Sequence, residues 1–177
     1  RDGTKLSKAR RTLARHFDVA LPRFAPQPLR TQSPKRIGVL SLAGMGGSGK
    51  VACDYAKAMT DVGHNVRLYC DGAGFFSTEY GSSVRLTKMN LPREPRMPDG
   101  SWEVALAEEL YETILADGVD VLHVHYLVGL LEVALLARQR LARAGKKVRI
   151  AATLHGSEVS NFAKNPTYCK KMAGMLD

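Results

Sequence analysis

The chain has 177 residues, enough for one domain and an extension, and carries 26 Lys and Arg against 17 Asp and Glu, a formal charge of +9. Residues 1–36 hold ten of those basic side chains against Asp2 and Asp18, a net of +8, so the basicity belongs to an N-terminal arm. No apolar run reaches the roughly 18 residues of a membrane helix, no secretory leader is recognisable, and the three cysteines, Cys53, Cys70 and Cys169, lack metal-ligand spacing. These features argue against a membrane-spanning or disulfide-stapled protein and lead to the expectation of a soluble, cytoplasmic one with packed, reduced cysteines.

In the arm, Leu6, Leu13 and Phe17 recur at near-helical spacing among Lys and Arg, which predicts a short basic helix over residues 4–18. Residues 22–34 contain four of the eight prolines and read as a linker or strap. Aromatic residues are sparse there, so stacking on nucleic acid has little support. Contact with a membrane surface through the arm stays open. The expected organisation is a basic, Pro-rich extension over 1–35 and a folded domain over 36–177.

From Lys35 onward the hydrophobic period alternates. Residues 37–42 read as a strand and residues 49–62 as a helix whose apolar face is Val51, Ala52, Tyr55, Ala56, Met59 and Val62, stopped by Gly63. A strand over 65–70 and a short one over 83–86 follow, and then a helix opened by Ser101, carrying Trp102, Leu106, Leu110 and Ile114 and ended by Gly118. Strands over 119–124 and 148–154 flank a helix over 130–144 closed by Gly145, and Asn165 followed by Pro166 opens a last helix. Such alternation predicts an α/β fold, a Rossmann-like, doubly wound parallel sheet. Ligands of such sheets bind beyond the carboxyl ends of the strands.

Three strand exits therefore matter. The first is glycine-rich: Gly44, Gly46 and Gly49 fit G-x-G-x-x-G, with Asp71 at the distance of a ribose-binding acid. Residues 44–50 also approach a P-loop, but Val51 stands where a Ser or Thr would ligate magnesium, which disfavours an NTPase. The second exit, LHVHY, brings His123, His125 and Tyr126 to the edge, and the third, TLHGSE, brings Thr153, His155, Gly156, Ser157 and Glu158. His123 and His125 share a strand face. No acid or cysteine completes a metal set with them, so one of the pair is expected as a buried, hydrogen-bonded histidine and neither a metal nor a cofactor is expected.

The blocks IGVLSLAGMGGSGKVACDYAKAMTDVGHNVRLYC, VDVLHVHYLVGLLEVALLARQ and AATLHGSEV, in that order, resemble the N-terminal domain of retaining glycosyltransferases of family 4, with the malate-using members nearest in pattern. The resemblance spans residues 36–177 and implies one half of a two-domain GT-B fold. It implies a nucleotide-sugar donor, UDP-N-acetylglucosamine by the nearest members, and a small-molecule acceptor. By the same resemblance Gly46, Gly47, Ser48 and Gly49 close over the donor diphosphate and acceptor. His155 takes the place of a histidine that contacts and orients the donor sugar, and Tyr126 matches an acceptor-contacting tyrosine. Ser157 and Glu158 stand where relatives commonly have Thr and Asp, and Lys50 where an apolar residue is frequent. These departures leave the acceptor open.

The family's donor-binding acids and diphosphate clamp lie in a second domain beyond residue 177, so the chain alone is expected to be inactive and to need that domain or subunit. A homo-oligomer is left open. Two other readings stand beside this one: a non-catalytic binding or scaffold module recruiting a partner through the arm, and an NAD-dependent oxidoreductase using Asp71.

Overall fold

The computed structural model describes residues 33–42, 46–72, 84–90, 101–160 and 164–176. The basic arm, its expected helix and Gly44 lie outside these residues. One compact unit runs over Pro34–His155, and the described residues from Gly156 onward belong to a second.

The first unit is a five-stranded parallel sheet of β1 (Arg36–Leu40), β2 (Asn65–Cys70), β3 (Arg85–Lys88), β4 (Val121–His125) and β5 (Arg149–Thr153). The helices α1 (Gly47–Asp61), α2 (Ser101–Asp117) and α3 (Leu130–Arg143) cover it. Strand order is β3-β2-β1-β4-β5, with every pair parallel. The winding direction reverses between β1 and β4, so the loops leaving those two neighbours flank the switch point at which such sheets bind ligands. The α/β, Rossmann-like expectation is met. The short strand comes two residues later than expected, at Arg85–Lys88, with residues 81–83 outside the description.

Burial follows position in the sheet. Central β1 is buried on both faces after Arg36, whereas the edge strands β3 and β5 contain no buried residue. Leu40, Tyr69, Leu122 and Val124 meet Leu106, Leu110 and Ile114 of α2 and Val133, Ala134, Ala137 and Leu141 of α3 on one face. On the other, Ile37, Val39, Val66, Leu68 and Cys70 meet Ala52, Cys53 and Ala56 of α1. The inward face of α1 is thus Gly49, Ala52, Cys53 and Ala56, and the expected Val51 and Val62 are 46% and 67% exposed. Small side chains let this helix lie close to the sheet; valines at its flanks do not reach the core.

Each of these helices ends in the same way. His64, Val119 and Lys146 donate backbone N–H bonds to Met59, Ile114 and Leu141, and the preceding Gly63, Gly118 and Gly145 have φ of +93°, +65° and +76°. This is the six-to-one closure that needs a left-handed residue, and glycine adopts it without a Cβ penalty.

At the amino edge of the sheet, Arg36 binds both carboxylate oxygens of Asp120, Nη2 to Oδ1 at 3.0 Å and Nε to Oδ2 at 3.3 Å. The Arg36 side chain holds the Asp120 carboxyl below its ordinary range. In the second unit, α4 covers Gly156–Ser160 and α5 covers Pro166–Leu176. Asn165 caps α5 as expected, its Oδ1 accepting from the Thr167 N–H at 3.0 Å. No helix among the described residues is long and apolar enough to cross a membrane.

Candidate functional site

Helix α1 starts at the carboxyl end of β1 with no capping side chain among the described residues. Gly46 is the N-cap, in extended conformation (φ −93°, ψ 166°), and makes no side-chain capping bond; the first turn contains no acid. A Cβ built on Gly46 or Gly47 would meet nothing within 4 Å. Neither close packing nor a positive φ demands glycine at these two positions, so the fold does not account for them. What their lack of side chains does provide is that neither residue itself shields the first N–H groups of the helix, where the dipole favours an anion.

Beside that turn, the last residue of β4, His125, and the one that follows the strand, Tyr126, both place a ring beside His155. The His125 ring lies 5.5 Å from the His155 ring and the Tyr126 ring stacks at 6.4 Å. Side chains alternate along a regular strand, so neighbours point to opposite faces. Tyr126 breaks the alternation with φ +75°, the one positive φ outside glycine among the described residues. A left-handed backbone on a bulky residue is strained, and such strain gathers at functional sites. The Tyr126 N–H still donates to the Thr153 carbonyl of β5, at 3.3 Å.

His123 and His125 share the α1 face of the sheet, their rings 4.4 Å apart. His123 Nε2 bonds Thr153 Oγ1 at 2.8 Å, and the Tyr55 ring of α1 packs T-shaped against it with centroids 4.3 Å apart. The expectation of one buried, hydrogen-bonded histidine describes His123 only in part, because it is half-buried. His125 is the fully buried member, 1% exposed, and neither of its ring nitrogens has a hydrogen-bond partner. Burial lowers the pKa of both, with neighbouring imidazoles adding to it, and His125 is taken down to about 3. Both rings are therefore neutral at physiological pH. Among the described residues, no group of three His, Cys, Asp or Glu is arranged to hold a metal.

Of the residues singled out from sequence, Gly46, Gly47, Ser48, Gly49, Tyr126 and His155 all leave one edge of the same sheet, and the rings of Tyr126 and His155 stack with centroids 6.4 Å apart. Ser157 and Glu158 fall in α4, in the second unit. Tyr55 was read only as part of an apolar face. Its place in the third turn of a helix that starts at the carboxyl edge is the signal that would have drawn it into the site.

A Rossmann-like strand order also serves dinucleotide-binding domains, so topology alone does not choose among chemistries. The family profile Glycosyltransferase Family 4 matches residues 45–173, more than half of the chain. The chain belongs to glycosyltransferase family 4. It is 25% identical over 132 residues to the N-acetyl-alpha-D-glucosaminyl L-malate synthase of Bacillus anthracis, an alignment covering 75% of the chain and 34% of that relative. This family 4 chain thus spans about a third of the length of the curated relative it matches. In fold it is similar to a glycosyltransferase from Rickettsia africae ESF-5, with TM-score 0.53 and 17% identity over 70% of this chain and 30% of the other. It is also similar to the sucrose-phosphate synthase of Thermosynechococcus elongatus, with TM-score 0.51 and 15% identity over 78% and 40%.

Proposed function

We propose that residues 36–177 form the acceptor-side domain of a retaining glycosyltransferase, with residues 1–35 an extension to it. The enzyme would transfer a sugar from a nucleotide-sugar donor, UDP-N-acetylglucosamine, to the hydroxyl of a small acidic acceptor. Family membership supports the transferase class, and the matched malate synthase supports the donor and the acceptor class. What supports the site is that the glycine N-terminus of α1 and His155, with the rings of His125 and Tyr126 beside it, leave the same carboxyl edge of neighbouring strands.

In this reading the N–H groups of Gly47, Ser48 and Gly49 face the donor diphosphate and acceptor, His155 orients the donor sugar, and the Tyr126 hydroxyl holds the acceptor. Transfer with retention needs the acceptor hydroxyl to attack from the face the leaving diphosphate vacates, with that charge stabilised as it develops. One helix N-terminus supplies only about 0.3–1 kcal/mol toward holding an exposed anion. The rest falls to a second, donor-binding domain or subunit, so the chain by itself binds donor weakly and turns over none.

Calorimetry of the chain with UDP-N-acetylglucosamine and with L-malate, beside a product assay of the chain combined with the proposed donor-binding domain or subunit, tests this. Weak donor binding by the chain and sugar transfer by the combined enzyme are the expected results. Transfer by the chain alone would remove the two-domain reading. Nicotinamide oxidation without sugar transfer would replace it with an oxidoreductase, and nucleotide-sugar binding by neither protein with a binding module.

A further inference from the structure

Where the described backbone takes a positive φ, the residue is glycine at Gly63, Gly118, Gly129 and Gly145 and tyrosine at Tyr126, where φ is +75°. A chain that needs only a left-handed turn uses glycine, because an L side chain in that region crowds the backbone. Tyr126 is pinned in the turn by a bond that outlasts the strand, its N–H donating to the Thr153 carbonyl of β5 at 3.3 Å. Glycine would make the same turn and the same bond at lower cost. The tyrosine side chain therefore serves something other than the turn.

Core packing does not supply that role. Tyr126 is only partly buried and belongs to neither apolar cluster on the two faces of the sheet. Its ring lies instead beside His155, 25° from parallel with the imidazole and with centroids 6.4 Å apart. In a regular strand the residue after His125 would send its side chain to the opposite face, yet the His125 ring also lies beside His155, at 5.5 Å. The left-handed turn is what brings a second ring to the same imidazole.

We propose that Tyr126 is a positioning residue for His155, its ring holding the imidazole in one rotamer by way of a backbone turn that glycine would make without strain. The inference rests on the reading of His155 as the residue that orients the donor sugar, and it divides Tyr126 into two separable parts. The hydroxyl serves the acceptor, and the ring acts through His155. Because the two rings lie at a low angle to one another, a flat side chain serves at this position and a branched aliphatic one does not.

The test uses the chain carrying Tyr126→Phe, Tyr126→Leu, Tyr126→Ala or Tyr126→Gly. The Hα–Hβ couplings of His155 report its χ1 rotamer, and thermal unfolding reports the backbone. Wild type and the phenylalanine variant are expected to show one His155 rotamer, and the glycine and leucine variants a mixture. The glycine variant is expected to unfold above the alanine variant, since both lack the ring and only glycine takes the turn without strain. In the chain combined with the proposed donor-binding domain or subunit, Tyr126→Leu is expected to lower kcat by about ten- to a hundred-fold relative to Tyr126→Phe, as for a misplaced orienting group, with the same donor KM in both. A single wild-type rotamer of His155 in the glycine variant overturns the proposal; if that variant does not fold, the leucine variant decides by the same criterion, and failure of both to fold makes the ring a packing element and overturns it. A rotamer mixture in the phenylalanine variant, a glycine variant no more stable than alanine, or equal kcat for leucine and phenylalanine overturns it as well. Should the combined enzyme transfer no sugar, the proposed function fails, while the rotamer and unfolding measurements still decide whether Tyr126 positions His155.

Discussion

The Tyr69 hydroxyl donates a hydrogen bond to Asp117 Oδ2 at 2.8 Å, joining the end of β2 to the end of α2. Its ring passes over β1 at the residue without a side chain: a Cβ on Gly38 would sit 2.6 Å from Tyr69 Cε2 and 3.2 Å from Leu122 Cδ1. Asp117 also pairs with Arg67, at 3.2 Å. Burial, reinforced by the bond to Asp117, raises the Tyr69 pKa, so the hydroxyl remains a donor throughout the physiological range.

Gly38→Ala is therefore expected to destabilise the sheet domain by about 1–3 kcal/mol, the cost of overpacking a filled core. Urea unfolding would show it as a lower midpoint with an unchanged slope. A midpoint at or above wild type would mean that the tyrosine ring has room to move and that the slot is not a constraint.

The glycines at the start of α1 should behave in the opposite way. Gly47→Ala meets no atom within 4 Å and relieves the entropy cost of a helical glycine, so stability should stay level or rise by about 0.5–1 kcal/mol. Binding of UDP-N-acetylglucosamine should weaken, because the added methyl crowds the N–H groups that the donor is proposed to approach. Equal donor affinity in calorimetry would remove the glycine turn from the site.

Acid should weaken the fold through the β4 histidines. The folded chain refuses a proton on His125 until about pH 3, whereas the unfolded chain takes it near the ordinary 6.5, so the unfolded state binds more protons between those values. Stability then declines as pH falls through that window and levels off below it, and His123 adds in the same sense. His125→Phe should flatten the upper part of the decline, from about pH 6.5 to 5, before carboxylates begin to contribute. An identical slope in wild type and variant would assign the acid sensitivity elsewhere.

In the chain combined with the proposed donor-binding domain or subunit, His155→Ala should lower kcat more than it weakens donor binding, because its proposed contact lies beside the reacting carbon. Tyr126→Phe keeps the ring that stacks on His155 and removes one hydroxyl, so its main effect should be on the acceptor. A hydrogen bond to a charged group is worth about 1.5–3 kcal/mol, which corresponds to an acceptor KM raised by about ten- to a hundred-fold. An unchanged KM for malate would separate this chain from the malate-using members of the family.

Much of the architecture was legible because it is local. Hydrophobic period, the glycines that close α1, α2 and α3, and the Asn165–Pro166 start of α5 each act within a few residues, and each appears where expected. The inward face of α1 was foreseen in part: Ala52 and Ala56 are buried and Tyr55 and Met59 pack against the core, whereas Val51 and Val62 are exposed, because alternation of Val, Ala and Tyr fits more than one helical stripe. Only the depth at which the helix lies on β1 and β2 selects Gly49, Ala52, Cys53 and Ala56.

The amino-acid sequence by itself determined the order of strands and helices, the strand exits that bear His, Tyr and glycine, and the family, because these are properties of short stretches and their succession. The tertiary structure decided which exits become neighbours. Pairing of β1 with β4 and of β4 with β5 sets the glycine turn next to LHVHY and LHVHY next to His155. It also decided that Tyr126 takes a left-handed backbone and that His125 is sealed without a partner while His123 bonds Thr153. Those outcomes depend on strand pairing and packing between residues about 30 apart in the chain, and no local pattern of apolar and polar residues encodes them.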